Sequence, residues 1–110
     1  MIQISIYRNE KEECVGFKAE GHAGFSKSGQ DIVCAAVSVL MINTINAIEA
    51  FAGDKLSVTS DDESGLIECH LTEKLSKEAA LLLKAMILGL EDMAADEDYA
   101  KYINVTLKEV

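Results

Sequence analysis

The feature that most restricts this chain is the stretch from Asp31 to Phe51 or Ala52, which reads as one long helix that is apolar on nearly every side. At roughly 3.6 residues per turn, Val33, Ala36, Leu40 and Ala47 fall on one side, and Val37, Met41, Ile45 and Ile48 on another. Ser38, Asn43, Thr44, Asn46 and Glu49 are polar but scattered. A helix like this is buried on most sides. In 110 residues there is little else to cover it, so the pattern predicts a second subunit and hence a homodimer. Gly53 supplies the C-terminal stop, and Asp31 is the expected N-cap. The longest apolar run, Ile32 to Ile42, is interrupted by Ser38 and is too short to cross a bilayer, so no membrane role is expected.

The remaining segments alternate with a period of two. Ile2, Ile4 and Ile6 alternate with Gln3, Ser5 and Tyr7; after a polar turn at 9–12, Val15, Phe17 and Ala19 alternate with Gly16, Lys18 and Glu20. Leu56 and Val58, a turn at Asp61-Asp62-Glu63-Ser64-Gly65, and Ile67, Cys69 and Leu71 predict a second hairpin. Ser76 can cap a second helix, with Glu78 in its first turn. Its apolar stripe is Leu82, Met86, Leu90 and Met93, widened by Leu75, Leu83 and Ile87, and it ends near Ala95. An acidic turn at 96–98 leads to a last strand through Ile103, Val105 and Leu107. The order ββαββαβ fits a two-layer α+β domain over residues 1–110, with two helices on one face of a five-stranded sheet.

Charge and cysteine usage narrow the function. With 19 acidic and 10 basic residues the net charge is −9. That balance argues against direct nucleic-acid binding, which relies on clustered Lys and Arg, and suits a basic protein or peptide partner. Three cysteines, Cys14, Cys34 and Cys69, are odd in number and form no C-x-x-C pair, which points to a reducing compartment. The N-terminal alternation is unlike a signal peptide, so a cytoplasmic location is expected. Metal-ligand spacing, a phosphate loop and a dinucleotide fingerprint are missing from the sequence, and no metal or cofactor is expected.

Chemistry concentrates between Gly21 and Ser38. Cys34 has two readings. It is a small packing residue, or, three residues past the expected cap, a thiol favoured as thiolate by the positive end of the helix. His22, after a glycine at a strand end, either bonds the backbone or serves as the base of a Cys-His pair. Asp31 caps the helix, orients the imidazole, or does both. Ser38 lies one turn after Cys34 on the same face. The segment 23–30 contains Gly24, Phe25, Ser28 and Gly29, a composition suited to a mobile loop that covers a site. Cys14 and Cys69 read as packing residues and His70 as an exposed one.

Gly21-His22-Ala23, followed by Asp31-Ile32-Val33-Cys34-Ala35-Ala36-Val37-Ser38, resembles the signature of the bacterial ribosomal-processing cysteine protease family, along with the length and element order of the whole chain. The resemblance implies a homodimeric endopeptidase that removes the N-terminal extension of a large-subunit ribosomal protein, number twenty-seven, cutting after a hydrophobic, Phe-rich segment. It places the nucleophile on Cys34 and the base on His22, with Gly21, Asp31 and Ser38 in supporting roles. The residues alone also leave open a non-enzymatic ribosome-assembly binding module and a thiol redox sensor.

Overall fold

The computed structural model describes residues 1–21 and 28–110, the first four of the second stretch by backbone alone. The elements are β1 (Ile2–Arg8), β2 (Cys14–Glu20), α1 (Ser28–Ala47), β3 (Leu56–Asp61), β4 (Leu66–Leu71), α2 (Lys77–Ala95) and β5 (Ile103–Glu109). They form a five-stranded sheet of order β3-β4-β2-β1-β5, antiparallel except where β5 runs parallel to β1. This is the expected ββαββαβ two-layer arrangement. The parallel closure by β5 needs the crossover that α2 supplies.

One sheet face carries the core. Ile4 pairs with Ala19 and Val105, Ile6 with Phe17 and Leu107, and Phe17 with Cys69, so the inward positions of neighbouring strands coincide. Ile4, Ile6, Phe17 and Cys69 are fully buried against Val33, Val37, Met41 and Ile48 from the first helical segment and Ala79, Leu83, Met86 and Leu90 from α2. The opposite face is polar. There Tyr7 stacks on His70 across Gly16, with ring centroids 5.2 Å apart, and His70 Nε2 lies 2.8 Å from Glu68 Oε2. His70 is therefore half covered rather than fully exposed. A Cβ on Gly16 would come within 2.7 Å of His70 Nδ1 and 2.8 Å of the Cys69 carbonyl, so only glycine fits beneath the rings.

Three expectations are corrected. The first helix begins at Ser28, one turn before Asp31, so Asp31 lies inside it and is not its N-cap. Ser28 and Gly29, read above as loop, are its first two residues. Within the single chain the helix leaves Ile32, Val39 and Ile42 exposed, and Phe51 is exposed in the π-turn Ile48–Ala52 that continues α1. In β2, a bulge opposite Tyr7 and Arg8 shifts the register, and Cys14 takes the buried position that simple alternation assigns to Val15. The predicted stop holds, since Gly53 has φ 75° and donates its N–H to the Ile48 carbonyl at 2.8 Å. The predicted cap of α2 also holds. Ser76 Oγ accepts from the Ala79 N–H at 3.0 Å, and the Asp54 carboxylate accepts from both the N–H and the hydroxyl of Ser76.

Candidate active site

A cleft of about 630 Å³ opens between α1 and the β3–β4 hairpin. It exists because β3 is an edge strand that the helices leave uncovered. Val58 points to the helix side of the sheet, beside Cys69, and is still 45% exposed. One wall is a stripe along the helix, Cys34, Ser38, Ile42, Asn46 and Glu49, spaced three or four residues apart so that all face one way. The other wall includes Val58, Ser60, Leu66 and Ile67. Gly21 closes the upper end.

Cys34 is half-buried on this wall. Counting from Ser28, it is the seventh helical residue and sits in the second turn. Among the described residues, the N–H groups without an intrahelical partner therefore belong to residues 28–30, not to Cys34 or its neighbours. Side chains on a helix lean toward its N-terminus, so the thiol tilts back toward the turn that carries those donors. Cys14 and Cys69, by contrast, are buried. Burial pushes the Cys14 thiol above its ordinary value, and burial, with Cys14 and Glu49 nearby, pushes Cys69 up to about 11.

Gly21 fixes the backbone immediately before His22. Its φ is +108°, its N–H donates to the Ser64 carbonyl at 3.2 Å, and a Cβ would stand 2.6 Å from the Met1 carbonyl oxygen. A side chain is excluded by conformation and by space. The end of β2 is thus held against the first residue of the chain on one side and the β3–β4 turn on the other.

Of the site residues expected from sequence, Gly21, Cys34 and Ser38 share this cleft. His22, Gly24 and Phe25, and the side chain of Asp31, lie outside what the structure describes. The far wall was missed. Val58 reads as an ordinary strand residue, and Asp61 and Asp62 as a turn, because only tertiary packing shows that no helix covers them. Among the described lining residues the charged ones are Glu49, Asp61 and Asp62, all negative. The cleft is thus an apolar trough with anionic ends, long enough along the helix for an extended peptide. From Cys34 to Glu49 the helix advances about 22 Å, the span of roughly six or seven extended residues.

A half-buried thiol on the wall of a peptide-sized trough defines a thiol-dependent peptide-processing protein as the class to compare. A family model described as cysteine protease Prp matches residues 1–104. The ribosomal processing cysteine protease Prp of Bacillus subtilis is 33% identical, with 96% of each chain covered. The crystal structure of the Staphylococcus aureus ribosomal processing protease Prp with a substrate peptide superposes with a TM-score of 0.89 at 27% identity, covering 98% of this chain and 100% of that one. A second structure of that enzyme, with a covalently linked product peptide, gives a TM-score of 0.86 at 28% identity over the same shares. The chain belongs to the Prp family of ribosomal processing cysteine proteases.

Proposed function

We propose that this protein is a cytoplasmic, homodimeric cysteine endopeptidase that removes the N-terminal extension of large-subunit ribosomal protein twenty-seven. It cuts after a hydrophobic, Phe-rich segment and needs no metal or cofactor. The observation that carries the reading is the position of Cys34 in a trough lined by Val37, Ile42, Ile45 and Val58. An apolar segment before the cut fits that lining, and the Asp61 and Asp62 carboxylates suit the cations of a basic ribosomal protein.

In this mechanism His22 accepts the Cys34 thiol proton, and the sulfur bonds to the scissile carbonyl carbon. The free N–H groups of residues 28–30 supply hydrogen bonds to the oxyanion. As the C–N bond breaks, His22 returns the proton to the leaving amine. Water then gives a proton to His22 and its oxygen to the acyl carbon, and the thiol is restored as the C–S bond breaks. Gly21 holds the backbone from which His22 departs, and Ser38 borders the bound chain one turn beyond the nucleophile.

Incubation with a synthetic peptide spanning a Phe-Phe-Ala junction, read by mass spectrometry, tests the proposal. Cleavage before Ala is expected, and Cys34→Ala and His22→Ala should each abolish it with unchanged circular dichroism. Intact peptide with folded wild-type protein would favour a binding module instead. A redox sensor is disfavoured because both candidate resolving thiols, Cys14 and Cys69, are buried. The homodimer is supported by Val39 and Leu88, which are exposed beside the close helix crossing where Gly89 meets Leu40. Sedimentation at micromolar concentration should show a dimer, and Val39→Glu combined with Leu88→Glu should shift it to monomer.

A further inference from the structure

Among the described residues nothing pairs with the outer edge of β3 along the whole strand. β4 pairs with it on one side only, and β3 is terminal in the sheet. The register settles which backbone groups are free. The Thr72 N–H donates to the Lys55 carbonyl at 3.1 Å, which makes 55 and 72 a hydrogen-bonded antiparallel pair. Stepping by two, Ser57 with His70, Thr59 with Glu68 and Asp61 with Leu66 are hydrogen-bonded pairs as well. Leu56, Val58 and Ser60 alternate with them, so their N–H and C=O groups point away from β4 to the open edge. Val58 and Ser60 also line the trough that holds Cys34. The same two residues therefore face the trough with their side chains and the open edge with their backbones.

Edge strands are normally protected against pairing by lysine, proline, a bulge or a cover. β3, Leu56-Ser57-Val58-Thr59-Ser60-Asp61, has no lysine or proline, and its register with β4 is unbroken. The other edge strand, β5, carries Lys108 and Glu109. Val58 is open rather than covered by a helix.

We propose that the peptide substrate docks as a sixth strand on β3, hydrogen-bonded to the backbones of Val58 and Ser60, with alternate side chains entering the trough and its end crossing to Cys34. This rests on the endopeptidase reading above and adds how the peptide is held. Backbone pairing supplies affinity independent of sequence, while every second side chain is read by the apolar lining. A peptide so held presents a two-residue rhythm of selectivity that a simple apolar groove does not impose.

Amide exchange measured by NMR on the Cys34→Ala protein tests this without turnover. On saturation with the Phe-Phe-Ala peptide, the Val58 and Ser60 amides should slow about tenfold or more, while Ser57 and Thr59, already bonded to β4, should not change. A scan of the same peptide with single N-methylated residues, assayed with wild-type protein, should lower kcat/KM about tenfold at every second residue upstream of the cut. Cleavage with neither the exchange pattern nor the alternation would overturn edge docking and leave the endopeptidase reading standing. Absence of cleavage of the unmethylated peptide would instead overturn the endopeptidase reading, and edge docking with it.

Discussion

Three cysteines of identical chemistry sit in three different environments, and that difference is measurable. Cys34 is half-buried on the cleft wall, whereas Cys14 is 9% exposed and Cys69 fully buried. Iodoacetamide should therefore label Cys34 alone in the native protein and all three in urea, as counted by peptide mass spectrometry. Bound Phe-Phe-Ala peptide should slow the native labelling by covering the trough. Gly21 offers a second test at this scale. Gly21→Ala forces an L side chain into φ +108° and against the Met1 carbonyl 2.6 Å away. The expected cost is about 1–3 kcal/mol, seen as a lower Tm. Because the displaced backbone leads directly to His22, kcat/KM should fall more than the unfolded fraction explains.

At the scale of elements, α2 is anchored by a cap with two partners, Ser76 to Ala79 within the helix and Asp54 to Ser76 from the preceding loop. Ser76→Ala should cost about 1–2 kcal/mol in urea unfolding, because the Ala79 N–H and the Asp54 carboxylate each lose a bond. That cap was legible in sequence because Ser76 and Glu78 mark it locally. The five strands were legible for the same reason: Ile2, Ile4 and Ile6, or Ile67, Cys69 and Leu71, repeat at a period that only a half-buried strand satisfies. Where nonlocal packing decides, local text fails. Gly29 argues for loop by propensity, yet the first helical turn includes it, and Cys34 moves from the first turn to the second. The β2 bulge exchanges Val15 for Cys14 through the register with β1, which no residue of β2 announces. Likewise, Val58 belongs to the site only because α1 passes over β4 and stops short of β3.

On the scale of the whole molecule, the core that joins sheet to helices also stores a pH dependence. Cys69 lies at its centre, paired across the sheet with Phe17 and Val58. Its thiol is raised from an ordinary 9.0 to about 11, first by burial, then by Cys14 and Glu49. Well below pH 9 folded and unfolded chains both keep the proton, and the group does not alter stability. Between pH 9 and about 11 the unfolded chain releases a proton that the folded chain retains, so stability falls as pH rises. The full loss is on the order of 2–3 kcal/mol. Cys14 is raised by burial as well and acts in the same direction. Lysines and tyrosines also titrate in this range, so the informative quantity is the difference between wild type and Cys69→Ala. The variant should be less stable at pH 8 because of the cavity, by about 1 kcal/mol, yet lose less on going to pH 10.5. Urea midpoints at the two pH values measure both effects. Parallel declines in the two proteins would mean that the thiol ionises in place, and that the centre of this core admits charge and water more readily than its packing indicates.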